Sequence, residues 1–180
     1  NILVVGAGGQ IGSELVPYLR KIYGNEHVVA ADINSSACIH LAEEGPFEEL
    51  DALKADRYLE IVKKYRIDTI FNLVALLSAT GEKKPQLAWH VNMGALMNSL
   101  EIARENSCAV FTPSSIGAFG PTSPLDNTPQ DTVMRPTTIY GICKVTGELL
   151  SDYYFLKYGV DTRSVRFPGI ISNVTLPGGG

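Results

Sequence analysis

The chain has 180 residues, 45% hydrophobic and 19% charged, enough for one well-buried domain of ordinary composition. A formal net charge of -4 gives no electrostatic footprint for nucleic acid, and no apolar run approaches a membrane span. Three cysteines (Cys38, Cys108, Cys143) and three histidines (His27, His40, His90) are too scattered for a disulfide framework or a metal site, which fits a reducing compartment.

In chain order, Ile2–Val5 is the first of several apolar runs suited to buried parallel strands. It is followed by His27–Ala31, a weaker run before Asp51, then Ile67–Val74, Cys108–Thr112 and Thr162–Phe167. Helical periodicity fills the intervals at 10–23, 55–65, 85–106 and 137–158. Strands alternating with helices of this length predict right-handed crossovers and an α/β fold, a doubly wound parallel sheet. Residues 114–136, rich in Pro, Thr and Asp, form a loop long enough to expect a functional role. We read 1–180 as one domain. It starts directly in a strand and stops in the glycine-rich run Leu176–Gly180, so a smaller C-terminal lobe is expected beyond it.

Gly6-Ala7-Gly8-Gly9-Gln10-Ile11-Gly12 follows the first strand and opens the first helix. Glycines at 6, 9 and 12 allow a tight turn, close backbone approach to a pyrophosphate and close helix–strand packing. The helix N-terminus behind them offers free N–H groups to phosphates. Asp32 ends the second apolar run, twenty residues beyond Gly12. A carboxylate there accepts from a ribose hydroxyl and repels a 2′-phosphate, favouring NAD over NADP, and Ile33-Asn34 supplies no basic residue to reverse that choice. The alternative is a turn cap on Asn34-Ser35. Asp51 reads either as an acceptor for the adenine amino group or as a solvated loop carboxylate.

Tyr140 and Lys144 lie four residues apart on an expected helix, one turn apart on one face. A nearby ammonium favours the phenolate, so Lys144 is expected to pull the Tyr140 pKa down from about 10 towards useful values. Phe111-Thr112-Pro113-Ser114-Ser115 ends the fifth strand, where ligands bind in open parallel sheets. The two serines are either turn caps or, in Ser115, a hydroxyl that holds a substrate oxygen against the tyrosine. Ser115, Tyr140 and Lys144 together make a proton-transfer unit for a secondary alcohol beside a nicotinamide, with no metal required.

With Asn72-Leu73-Val74-Ala75 and Asn92, these motifs resemble the extended short-chain dehydrogenase/reductase superfamily over essentially the whole chain. That resemblance implies a Rossmann domain with bound NAD. The cofactor would be held by Gly6, Gly9, Gln10, Ile11, Gly12, Asp32, Ile33, Asn34, Asp51, Ala52, Leu73, Ala75, Asn92, Tyr140, Lys144 and Ile170. It also implies a homodimer through the two long helices. Trp89, Met93, Leu96, Met97 and Leu100 recur at helical spacing, either as such a seam or as packing on the sheet.

Within the superfamily, Ala75–Ala79, Pro113–Pro121 and Leu176–Gly180 resemble the epimerase-like family of L-threonine 3-dehydrogenases. The strand end Arg166-Phe167-Pro168-Gly169 lacks the Asn that nucleotide-sugar enzymes usually carry there. The resemblance implies oxidation of the L-threonine 3-hydroxyl to 2-amino-3-ketobutyrate, with Ser78, Ser115, Tyr140 and Gly169 at the substrate. Ser115 stands where many relatives have Thr and keeps the hydroxyl; Gly8 is an extra glycine expected to be harmless. Alternatives are a nucleotide-sugar 4-epimerase or dehydratase with tightly bound NAD, or a non-catalytic NAD-binding module. A eukaryotic source would imply the mitochondrion, a bacterial one the cytoplasm.

Overall fold

The computed structural model describes residues 1–172. At its centre Ile2–Val5 (β1) pairs with β2 (Val28–Asp32) on one side and β4 (Thr69–Asn72) on the other. With β3 (Phe47–Glu49), β5 (Ala109–Phe111) and β7 (Thr162–Arg163) they form a six-stranded sheet in the order β3-β2-β1-β4-β5-β7. Every pairing in it is parallel, as the alternation of apolar runs and helices predicts.

Successive side chains of β1 point to opposite faces. Leu3 and Val5 join Val29, Ala31 and Ile70 beneath α3 (Ala55–Tyr65), α5 (Pro85–Asn106) and α6 (Ile139–Tyr158). Val4 joins Val28 and Ala30 beneath α1 (Gly12–Tyr23) and α2 (Ile39–Glu44). Helices therefore cover both faces, and strands buried twice over must be apolar at nearly every position. Each such side chain contributes about 1.5–3 kcal/mol by leaving water.

The chain runs from β1 out to β3, then crosses back to β4 on the far side of β1. That reversal leaves a crevice at the carboxyl ends of β1 and β4, where ligands of open parallel sheets bind. Helix α6, which carries the tyrosine and lysine to this crevice, is fixed at both ends. The Thr138 side chain accepts from the Gly141 N–H at 3.1 Å, and Gly159 closes the helix at φ 72°.

Three expectations change. Thr162–Phe167 is two strands: β7 stays in the main sheet, while β8 (Arg166–Phe167) pairs with β6 (Ser114–Ser115) in a separate two-stranded piece. Pro113 has no N–H to continue pairing towards β4, so the ladder goes on only with the β7–β8 chain, through Thr112 N–H to Arg163 and Ser114 N–H to Val165. The short helices α2 and α4 (Ser78–Lys83) were not anticipated; six residues are too few for a periodic signal. Of the proposed seam, Met93, Leu96 and Leu100 are buried in the sheet-side core, and Met97 packs against it. Only Trp89 remains substantially exposed. Among the described residues, no helix is long and apolar enough to cross a membrane.

Candidate active site

The glycine turn is built by close approach. Gly6 takes φ 83°, and a Cβ there would lie 3.1 Å from the backbone of Leu73 and Val74. A Cβ on Gly12 would stand 2.6 Å from the Ala7 backbone, so only glycine lets α1 start so near β1. Ile11 caps α1 with no side-chain hydrogen bond, and the Ser13 and Glu14 N–H groups turn back to the Gly9 and Ile11 carbonyls, so an anion would be met by the N–H groups ahead of them in the turn. Gly8 is more than harmless. Its N–H donates to Asp32 Oδ2 at 2.9 Å, and a Cβ would stand 2.9 Å from Cys38 Sγ and 3.2 Å from that carboxylate.

The turn-cap reading of Asp32 is observed directly, since Oδ1 also accepts from the Asn34 N–H at 2.8 Å. The carboxylate is thereby fixed in place on the wall of a hollow of about 380 Å³, beside Ile33, Asp51, Ala52, Leu53 and Val91. Asp51 Oδ1 accepts from the Leu53 N–H at 3.0 Å and is held on the same wall. A second hollow of about 360 Å³ has Gly9, Gln10, Ile11 and Gly12 at one end and Ser115, Tyr140, Lys144, Pro168 and Ile170 at the other. The two share Gly6, Gly9, Leu73 and Ala75, so they form one cleft over the switch point. Gln10 ties the turn to the far lip by donating to the Ile170 carbonyl at 3.1 Å.

Ser115 caps the following turn and lines the cleft: its Oγ accepts from the Gly117 N–H at 3.1 Å and lies in reach of the Tyr140 phenol. Burial raises the Tyr140 pKa above its ordinary value, and the Ser115 hydroxyl pulls it back only part of the way. The expected lowering by Lys144 is therefore corrected. The ammonium donates to the Pro113 carbonyl at 2.6 Å and sits 5.2 Å from the centre of the Tyr140 ring, over its face. Burial pushes Lys144 itself down to about 8.

Behind this pair, Glu148 receives a bidentate grip from Arg166 at 2.7 and 2.9 Å and a hydrogen bond from Ser114. Burial raises the Glu148 pKa, but the bonds from Arg166 and Ser114 more than offset it, so the carboxyl stays ionised. This clamp locks β6 and β8 onto α6 and fixes Ser115 relative to Tyr140.

Several expected residues lie elsewhere. Asn92 is buried, with Oδ1 accepting from the Leu76 N–H at 2.7 Å and Nδ2 donating to the Leu76 carbonyl at 3.1 Å; it supports the loop behind the cleft. The Asn34 side chain accepts from Ala37 N–H. Ser78 is exposed at the start of α4, and Gly169 is exposed between two wall residues. Sequence reasoning missed Leu53, Val91, Leu77 and Phe167 as wall residues. No local motif marks them, because the fold assembles them from four separate segments. Leu176–Gly180 lies outside the described residues.

Residues 2–176 match the model of the NAD-dependent epimerase/dehydratase family. The chain belongs to that family. An uncharacterized epimerase/dehydratase of Staphylococcus saprophyticus is 56% identical over the whole chain, which spans 56% of that relative. L-threonine dehydrogenase from Clostridium difficile superposes with a TM-score of 0.97 at 56% identity, all of this chain covering 56% of it. UDP-glucose 4-epimerase from Brucella ovis, solved in complex with NAD, gives 0.82 at 26% identity over 92% of this chain and 51% of its own. The chain thus spans about half the length of its relatives.

The family's cofactor is NAD, and the cleft fits it. A fixed carboxylate flanked by apolar residues suits the adenosine end, the glycine turn and a helix N-terminus with no side-chain cap the pyrophosphate, and the Tyr140–Lys144 wall the nicotinamide end.

Proposed function

We propose that the full-length protein oxidises the 3-hydroxyl of L-threonine to a ketone, giving 2-amino-3-ketobutyrate. The observation that carries this reading is the convergence of Ser115, Tyr140 and Lys144 on one wall of the NAD cleft, in a chain 56% identical to a protein named L-threonine dehydrogenase. When bound, NAD supplies the hydride acceptor, nicotinamide C4. Ser115 orients the substrate oxygen by hydrogen bonding, and Tyr140, as phenolate, takes the hydroxyl proton. Lys144 would hold the nicotinamide ribose; its charge alone does not offset the burial that raises the Tyr140 pKa. The hydrogen on the same carbon leaves with its electron pair, and the C–O bond becomes the carbonyl.

The curated relatives are named uncharacterized epimerase/dehydratases, and a second reading is a nucleotide-sugar 4-epimerase that recycles tightly held NAD. Pro168-Gly169, in place of an Asn-bearing strand end, counts against it. The test is to follow NADH formation by the full-length protein with L-threonine, and separately interconversion of UDP-galactose. Threonine-dependent NADH is expected; sugar turnover without threonine turnover overturns the proposal. We also propose a homodimer, supported by an exposed apolar stripe on α6.

A further inference from the structure

A cavity of about 30 Å³ adjoins the cleft at Lys144 and is bounded by Asn72, Asn92, Thr112, Cys143 and Glu148. An ammonium carries three donors, and among the described residues the one hydrogen bond of Lys144 runs to Pro113. Asn72, which lines the same cavity, is 2% exposed, and its side-chain oxygen has no partner within the protein. Buried polar atoms in folded proteins are satisfied, by protein groups or by ordered water.

Apart from the exposed Ser164, the oxygen-bearing and charged side chains that line the cavity are committed. Asn92 holds Leu76, Glu148 holds Ser114 and Arg166, and Thr112 Oγ1 donates to the Asn72 carbonyl at 3.4 Å. Of the titratable groups around Lys144, Tyr140, Cys143 and Glu148 share its helix and Arg166 comes from β8. The parts of α5, β4 and β5 that line the cavity offer only uncharged side chains. No carboxylate is free to pair with the ammonium. One water needs roughly 10–15 Å³ of such volume and two to four polar partners, so the cavity has room for about two.

We propose that Asn72 is a positioning residue: through one or two waters held in this cavity, its amide oxygen anchors the Lys144 ammonium at the wall of the cleft. The inference rests on the catalytic role given to Lys144 under the proposed function. With the anchor removed, a lysine already pushed down to about 8 by burial loses a group that favours its charged form. Asn72→Leu removes the acceptor at similar volume. Asn72→Ser restores a hydroxyl and leaves space for one more water.

The experiment uses full-length protein. The pH dependence of Lys144 acetylation by acetic anhydride, read by peptide mass spectrometry, gives its titration without any substrate. The alkaline limb of kcat/KM with L-threonine gives its role in turnover. Asn72→Leu is expected to lower both midpoints by about one pH unit, a tenfold loss of proton affinity, with the acid limb unmoved. Asn72→Ser is expected to behave as wild type. Unchanged Lys144 titration in Asn72→Leu overturns the inference. So does a dry cavity in a high-resolution crystal structure of the wild type, even if the Leu variant does not fold. If threonine is not turned over, the proposed function fails, while the acetylation profile and the crystal structure still decide on Asn72.

Discussion

Tyr140 keeps its proton through neutral pH in this structure, because burial disfavours the phenolate more than Ser115 relieves it. In the proposed reaction it would become a base only as positive charge gathers around it. Tyr140→Phe preserves the ring and its packing while deleting the proton acceptor. Turnover by the full-length variant should fall by about 10²–10⁴-fold, with the NAD dissociation constant nearly unchanged by calorimetry. Lys144 makes a second prediction, in the protein without cofactor. Its folded pKa, about 8, lies below the ordinary 10.5, so a charged Lys144 opposes folding fully below pH 8 and is relieved as pH climbs to 10.5. Three thiols with raised pKa act in the opposite sense at alkaline pH, so the comparison must be with a variant. Wild type should gain up to about 3 kcal/mol relative to Lys144→Met between pH 7.5 and 10.5 in urea unfolding. A constant difference would show that the lysine titrates normally. Asp32→Ala should weaken NAD binding and narrow its advantage over NADP, since a ribose acceptor and a charge repelling the 2′-phosphate go together. It should also loosen the glycine turn, because the Gly8 N–H loses its acceptor. Equal NAD and NADP affinity ratios in variant and wild type would leave Asp32 a structural cap.

The start of α6 packs closely against the turn Ile116–Ala118 at Gly141. A Cβ on Gly141 would lie 2.2 Å from the Gly117 carbonyl oxygen and 2.6 Å from Pro136 Cβ. Both neighbours are held by backbone or ring and cannot swing aside. Gly141→Ala must therefore push α6 away from the strand end that carries Ser115. Overpacking of this kind costs about 1–3 kcal/mol. Thermal denaturation should show a Tm lowered by several degrees, and turnover should drop more than NAD affinity, because the adenosine end is built on other elements. A variant as stable and active as wild type would mean that this contact does not set the geometry of Ser115 and Tyr140.

Among the described residues, α6 carries more exposed large apolar side chains than any other element. Ile142, Leu149, Tyr153 and Leu156 fall on one stripe and are 41%, 61%, 45% and 81% exposed. Such a stripe on a helix that already packs against α5 suits a second copy meeting it across a two-fold axis. Sedimentation of full-length protein should give a dimer, and Leu149→Glu with Leu156→Glu should shift it towards monomer without loss of helical circular dichroism. A wild-type monomer would instead assign the stripe to residues that the longer relatives have and this chain lacks.

The alternation of twice-buried strands with amphipathic helices was legible in the chain, because each parallel strand in such a sheet must be apolar along its length. The glycine turn, Asp32 and the Tyr140–Lys144 spacing were legible too, since each depends on residues a turn or one unit apart. Tertiary structure alone decided what depends on distant neighbours. It turned Met93, Leu96 and Leu100 into core, put Asn92 behind the cleft, and placed Ser78 and Gly169 off its wall. It also set the electrostatics of the Tyr140–Lys144 pair. The spacing brings Lys144 beside Tyr140, but the Pro113 carbonyl, 31 residues away in the chain, decides where the ammonium points. Burial by elements from the whole chain then decides which of the two holds its proton.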